Sequence, residues 1–395
     1  MKQMNEQTQK LQMGMERKGP LYISGEMPAE KVLLMQNKLT ELVIKKVCTI
    51  VVDDLWLWIR YVSAMVAKSR QCRVESGNDI QGTKWIFRGQ ANAAWPICSS
   101  FELLVANKYT GTTEYRDREL RAKEKYSIDQ FKREAWRIVE PNDLDTLEWL
   151  ALMRHHGVPT RLVDFSDSPI VALFFAVMED ATDDFAIWAV AQDSLPDVYR
   201  SGNLNKALKG AREVCGDSVI TPALIPTLSS EEQKRLQNNL TDMYRNIASV
   251  PSNLYQGYEA NRNMANKILG ADLDDDLKEC HEYFILALRP ARLNARLAAQ
   301  SGLFLMPTSV SKSFTVCLQE AMGSNAFRTN TGEVSIRDAI DAKTLDLLVK
   351  DKVIKYRFPQ EIRQDARDFL AMANVSYRTL FPDIEGISKS ISFNQ

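Results

Sequence analysis

The chain is poor in metal-binding side chains. Its only histidines are His155, His156 and His281, and its cysteines, Cys48, Cys72, Cys98, Cys215, Cys280 and Cys317, are scattered with no CxxC pair. Structural zinc needs ligands paired at short spacing, and adjacent histidines cannot both face one ion from a regular helix turn. No metal site is expected. The acidic run Asp272–Glu279 resembles half a calcium loop, but Leu277 stands where glycine is needed and Tyr283 where glutamate is needed. Cys280 has His281 beside it, but no motif makes the two a catalytic pair. At 395 residues the chain needs no disulfide scaffold, so a reducing, cytoplasmic setting is expected. The formal charge of −1 gives no support for a strongly basic nucleic-acid binder or an acidic tail. The apolar stretches Ile170–Met178 and Phe284–Leu288 are too short to span a bilayer, so no membrane partner is expected. The first twenty residues lack the apolar run of a secretory leader. There is no GxxxxGK[ST], no GxGxxG after a strand and no GxSxG, which removes P-loop, Rossmann and nucleophile-elbow chemistry.

What is present is concentrated in two short clusters, Trp85–Gln90 and Met153–Ala176. Both set polar or charged residues among apolar ones, where an unpaired polar group is costly. Around them the pattern predicts an α+β fold with a central mixed or antiparallel sheet. Strands are expected at Lys84–Arg88, Thr160–Phe165, Asp184–Ala191, Glu282–Arg289, Leu303–Met306, Lys312–Leu318 and Val353–Phe358. Val43–Val52 reads either as helix or as strand. Asp53 or Asp54 caps a helix from Leu55 to Val66. Further helices are expected at Thr113–Val139, Leu144–His155 and Gln360–Ala373. Gly157 ends the second of these, and Pro159 pushes Val158 towards extended backbone. Another helix follows Pro169, capped by Ser166, Asp167 or Ser168. Four regions result: an N-terminal arm and helix (1–45), a first core half (46–191), a polar helical insertion (192–280) and a second core half with a C-terminal helix (281–395). The insertion would offer a partner surface, and deleting it should leave the core folded.

Arg88 ends an apolar strand beside Gly89. Such an arginine is either locked in a buried ion pair or poised to clamp an anion, because its planar fork suits phosphate or carboxylate. Gly89 would let a ligand approach the backbone. Arg161 and Asp164 are three apart on the predicted strand and so point to opposite faces, one structural and one towards a cleft. His155 reads as a helix-end histidine or a ligand contact. Between 108 and 137, nine Lys/Arg stand against six Asp/Glu. That stretch reads as a solvated helix face or as a basic track for a nucleic-acid backbone.

Together the clusters resemble the FRG domain. Phe87-Arg88-Gly89-Gln90 followed by Trp95 is similar to its FRGQ-x-x-x-x-W motif. His155-His156-Gly157-Val158-Pro159-Thr160-Arg161-Leu162-Val163-Asp164 resembles its H-Y-G-x-P-T-R-L-L-D segment, with His156 in the usual tyrosine place. Pro169 and Ala172–Ala176 resemble its P-x-x-A-L-Y-F-A helix. Gln300–Phe304 and Leu380–Asp383 resemble its later segments. The order of elements also resembles the ADP-ribosyltransferase fold. That resemblance implies NAD as substrate, with Arg88, His155, Thr160 and Gln300 as catalytic residues. Gly89, Gln90, His156, Arg161 and Asp164 would join Arg88 in holding the dinucleotide. It further implies a bacterial toxin, restrained by an antitoxin or regulatory protein or released by phage infection, that modifies a macromolecule, with RNA or DNA favoured over protein. The alternative is a non-catalytic module that binds nucleic acid or a phosphate-bearing ligand. Gln300 stands where the transferase fold has a catalytic glutamate, so a carboxylate must come from Asp164, Glu282 or Glu333 if charge on the ribose is to be stabilised.

Overall fold

The computed structural model describes residues 47–75, 84–105, 113–136, 144–195, 254–270, 285–290, 295–322, 333–339 and 352–393. The N-terminal arm and most of the predicted insertion lie outside the described residues. The fold is α+β. Eight strands form one mixed sheet: β1 (Cys48–Val51), β2 (Trp85–Gln90), β3 (Val163–Ser166), β4 (Phe185–Ala191), β5 (Ile285–Leu288), β6 (Gly302–Pro307), β7 (Val334–Ser335) and β8 (Val353–Phe358). Their spatial order is β5-β6-β3-β2-β4-β8-β1-β7. Pairing is antiparallel from β5 through β8, then parallel from β8 to β1 and β1 to β7.

Twelve helices accompany the sheet among the described residues: α1 (Leu55–Glu75), α2 (Ser100–Val105), α3 (Thr113–Ala135), α4 (Thr146–His155), α5 (Pro169–Val177), α6 (Leu254–Gly270), α7 (Ala295–Ala299), α8 (Phe314–Met322), α9 (Ile336–Ala339), α10 (Arg363–Met372), α11 (Tyr377–Leu380) and α12 (Ile384–Phe393). None is long and apolar enough to cross a membrane. Their starts follow local chemistry. The Asp54 carboxylate accepts from the backbone N–H groups of Trp56 and Leu57, at 3.0 and 3.1 Å. Asp145 and Glu148 form a reciprocal capping box at the head of α4. Ser168 caps α5, with Pro169 in its first turn.

Two apolar cores sandwich the sheet. One joins α1, α5 and α10 through Trp58, Phe174, Phe185, Phe358 and their neighbours. The other packs α8 against β2, β3, β5 and β6 through Ile86, Phe165, Phe314 and Leu318. A third cluster binds α3, α4 and α6 to the β5–β6 edge, and α6 supplies Ala265, Ile268 and Leu269 to it. Asn261 donates to the Ala287 carbonyl at 3.0 Å, and Arg262 meets Asp145 at 2.6 Å. The described helix of the insertion is therefore core packing, and deleting 192–280 would strip a face from α4 and β5.

Two predicted strands change. Lys312–Leu318 is not a strand: α8 begins at Phe314, whose N–H donates to Glu102, and Ser313 caps Val316. The β-branched run there sits in a helix because its ends are capped and its apolar residues meet the core. The strand expected at Thr160–Phe165 begins only at Val163. Thr160 instead exchanges hydrogen bonds with Ser100 and accepts from the Phe101 N–H.

Candidate functional site

Strand alternation sends Trp85 and Phe87 to the α5 side and Ile86 to the α8 side. Gly89 follows Phe87 towards α5. A Cβ there would lie 1.9 Å from the Ala172 carbonyl oxygen. A close approach of helix to strand therefore needs this glycine, which also lines the cavity beside Arg88.

β2 and β3 share one ladder pair, Phe87 with Ser166. Beyond it the strands are unpaired, and Arg88 reaches across. Its Nη1 donates to the Asp164 carbonyl at 2.8 Å. Arg88 is 5 % exposed, and its Nε is buried with no hydrogen-bond partner. No carboxylate among the described residues lies within ion-pair distance of it. Burial lowers its pKa to about 10, the Asp164 charge resisting and the Arg154 charge adding to the drop, so it is still a cation at neutral pH.

Arg154, from the last turn of α4, takes the Asp164 carboxylate. Its Nε and Nη2 both donate to Oδ2, at 3.1 and 2.5 Å, and Nη1 donates to Ser100 Oγ at 2.9 Å. Arg88, Asp164 and Arg154 line an open cavity of about 100 Å³. His155, Gln300, Arg296 and Ser166 add polar groups to its wall, and Phe87, Phe165, Phe175, Leu297 and Phe304 are among its apolar lining.

The wall opposite Arg88 comes from the α7–β6 turn. Gln300 Nε2 donates to the Leu380 carbonyl at 3.1 Å, and the Gln300 carbonyl accepts from Ser166 Oγ at 2.7 Å. Ser301 next to it adopts a left-handed φ of 47°. Arg296 is ion-paired with Asp383 and, at 2.7 Å, with Glu385, and it lies over the Phe381 ring. The Arg296 hydrogen bond holds the Asp383 carboxyl below its ordinary pKa. His155 is half-buried and meets the His156 ring edge-on at 4.9 Å between centroids. Burial lowers its pKa, the His156 charge adds to that, and Asp383 and Glu385 oppose it.

Of the residues predicted from sequence, Arg88, Gly89, His155, Asp164 and Gln300 meet at this cavity. Four do not line it. Gln90 is buried between the Trp188 indole N–H and the Pro96 carbonyl. His156 is exposed at the end of α4. Thr160 is fully buried, with Oγ1 unbonded. Arg161 is 2 % exposed and sealed in a bidentate pair with Glu124, its Nη1 shared between the Pro307 and Thr308 carbonyls. Glu333 is exposed and pairs with Arg357 beside β8 at 2.6 Å. Glu282 and the Cys280–His281 pair lie outside the described residues. The sequence reading missed Arg154 and Arg296. Arg154 carried a signal, since it sits in the same cluster one residue before His155, whereas Arg296 sits in no motif. Among the described residues no three His, Cys, Asp or Glu side chains gather as a metal site would require.

Residues 83–184 match the family model of the FRG domain. The chain carries an FRG domain. No curated protein matches the chain, and no solved structure does. The FRG segment runs from β2 to the loop before β4 and supplies Arg88, Gly89, Arg154, His155, Asp164 and Ser166. The facing wall, Arg296 to Phe304, lies beyond the matched residues. The cavity is thus built by the FRG domain and a later part of the chain together.

Proposed function

We propose that the cleft at Arg88 binds NAD and that the chain transfers ADP-ribose from it to a macromolecule, nucleic acid rather than protein. The observation that carries this reading is Arg88 itself. Desolvating a guanidinium without a carboxylate partner is costly, and a chain that does so at the wall of a cavity keeps donors for an anion. Arg88 Nη2 bonds to no described residue and is the donor left for a phosphate oxygen, while Nε is buried and unbonded. The size of the cavity fits one end of the dinucleotide. Its volume of about 100 Å³ is too small for a whole dinucleotide, so most of NAD would lie outside it. NAD would supply a glycosidic bond that leaves positive charge on the sugar as nicotinamide departs with the electron pair. Gln300 keeps its amide N–H on Leu380 and has its Oε1 to accept from a sugar hydroxyl. His155, whose pKa burial lowers, lines the cavity where it would accept a proton from an incoming nucleophile.

The outer face of α3 supports a nucleic-acid acceptor. Arg118, Tyr126, Arg133 and Trp136 are all exposed and recur at helical spacing, joining cations to aromatic rings that bases can stack on. An activity of this kind suits a cytoplasmic bacterial toxin of a toxin–antitoxin or anti-phage system, with a regulatory protein on the 192–280 region.

Incubation of the full chain with labelled NAD and total cell RNA, DNA or lysate tests the proposal. Label should pass to nucleic acid and be lost in Arg88→Ala. A second reading, a binding module without turnover, is favoured by the neutral side chain at Gln300 and its tether to Leu380. Tight NAD binding with no nicotinamide release would establish that reading instead.

A further inference from the structure

We infer that Asp164 is the carboxylate that meets the positive charge on the sugar, in place of a residue at position 300, and that Arg154 positions it. The inference rests on the NAD reading above. It starts from an asymmetry. Both Arg154 N–H groups aimed at Asp164 go to one oxygen, Oδ2. Oδ1 accepts from no described residue, and the side chain is 41 % exposed at a cavity it lines. A carboxylate fixed by one oxygen, with the other left to the cleft, is preorganised for charge that develops there.

The other acids near the cleft are already committed. Asp167 is bound by Arg289 and Lys84, and Asp383 and Glu385 are bound by Arg296. None of these three lines the cavity, and Asp164 is the one carboxylate among the described lining residues. Arg154 is itself held, through Nη1, by Ser100 Oγ, which also bonds the Thr160 N–H. Thr160, predicted as catalytic, thus acts from two bonds away through its backbone.

The step is balanced without a further reagent. The C1′–N bond to nicotinamide breaks, its electron pair neutralises the pyridinium ring, and the oxocarbenium charge on the sugar faces Asp164 Oδ1. An acceptor oxygen or nitrogen then bonds to C1′, and its proton leaves to His155 or solvent. Asp164 forms no covalent bond in this scheme.

The experiment measures nicotinamide release from NAD by the full chain in the presence of total cell RNA, alongside NAD binding by calorimetry. Asp164→Asn should lower kcat about a hundredfold while moving KM and the binding constant less than about threefold. Arg154→Lys keeps a cation but not the two-pronged grip, and should lower kcat about tenfold with KM unchanged. It also serves where Asp164→Asn fails to fold. Asp164→Glu should recover part of the Asn loss, which a merely structural carboxylate would not show. Wild-type turnover with Asp164→Asn within threefold of it overturns the assignment of Asp164 and leaves the NAD reading standing. Loss of binding in a folded Asp164→Asn chain makes the residue a ligand anchor and likewise overturns it. If the wild type neither binds nor cleaves NAD, the reading under Proposed function fails and this inference falls with it.

Discussion

Arg88 and Arg161 are both almost completely buried, and both belong to sequence motifs that suggested ligand binding. Their surroundings differ completely. Arg161 is closed into Glu124 and two carbonyls, with each of its three nitrogens bonded. Arg88 has one carbonyl, an orphaned Nε and a cavity in front of it. A buried cation with a complete set of acceptors is architecture, holding α3 to the end of β6. A buried cation with an incomplete set costs stability, and in the function proposed above Arg88 is kept for the anion it would hold. Residue type and burial do not separate the two, nor does an unbonded nitrogen alone, since Arg121, Arg357 and Arg363 also have one; the cavity in front of Arg88 does.

The sharpest way to break this contrast is at the closed site. Glu124→Ala leaves Arg161 charged and sealed, and should cost about 3–5 kcal/mol of stability, read as a lower midpoint in urea unfolding. Next comes Gly89→Ala. The added methyl meets the Ala172 carbonyl, so α5 must lift from β2 at a cost of about 1–3 kcal/mol, visible as a lower melting temperature. That loss would show that the arginine and the glycine of one motif serve different ends. Arg88→Met should change stability by no more than about 1 kcal/mol while abolishing anion capture, because only one hydrogen bond is lost and a desolvated charge is relieved. A loss as large as that of Glu124→Ala would place Arg88 with Arg161 and end the distinction. The smallest effect concerns Asp383, a partner of the cavity-lining Arg296. Asp383 is held below its ordinary value of 3.8, so its contribution to stability is complete above that pH and is lost as pH falls through the lower folded value. Asp383→Asn should flatten the acid limb of the stability–pH curve below about pH 4, measured by urea unfolding at a series of pH values.

Much of this was legible from local pattern. The β8 span, the capped start of α5, the Asp54 cap and the Gly157 terminus all depend on neighbours close in sequence, and each lies where composition and turn chemistry put it. The mixed sheet was legible as a class, though not in its strand order. Within the site, the motif residues were found, but their division into lining and scaffold was not. Nothing in the sequence says that Glu124 on α3 reaches Arg161, or that Arg154 takes the Asp164 side chain while Arg88 takes its backbone. Those outcomes are set by which elements pack together over separations of tens of residues. Arg296 was invisible for the same reason, since its partners Asp383 and Glu385 arrive from the far end of the fold. The α8 segment misled because Thr315, Val316 and Cys317 favour strands locally, while Ser313 and Glu102 cap a helix.

The position of β8 carries a further consequence. It lies between β4 and β1, so an interior strand of the sheet is the last of the described strands to be synthesised. Until then β4, apolar along its whole length, presents one bare edge of amide and carbonyl groups to any extended chain nearby. The Leu380 carbonyl that steadies Gln300 is made later still. Synthesis therefore passes through a sticky, unfinished stage before a complete cleft exists, and a growing polypeptide that stalls there would be a burden for chaperones before it could act on anything.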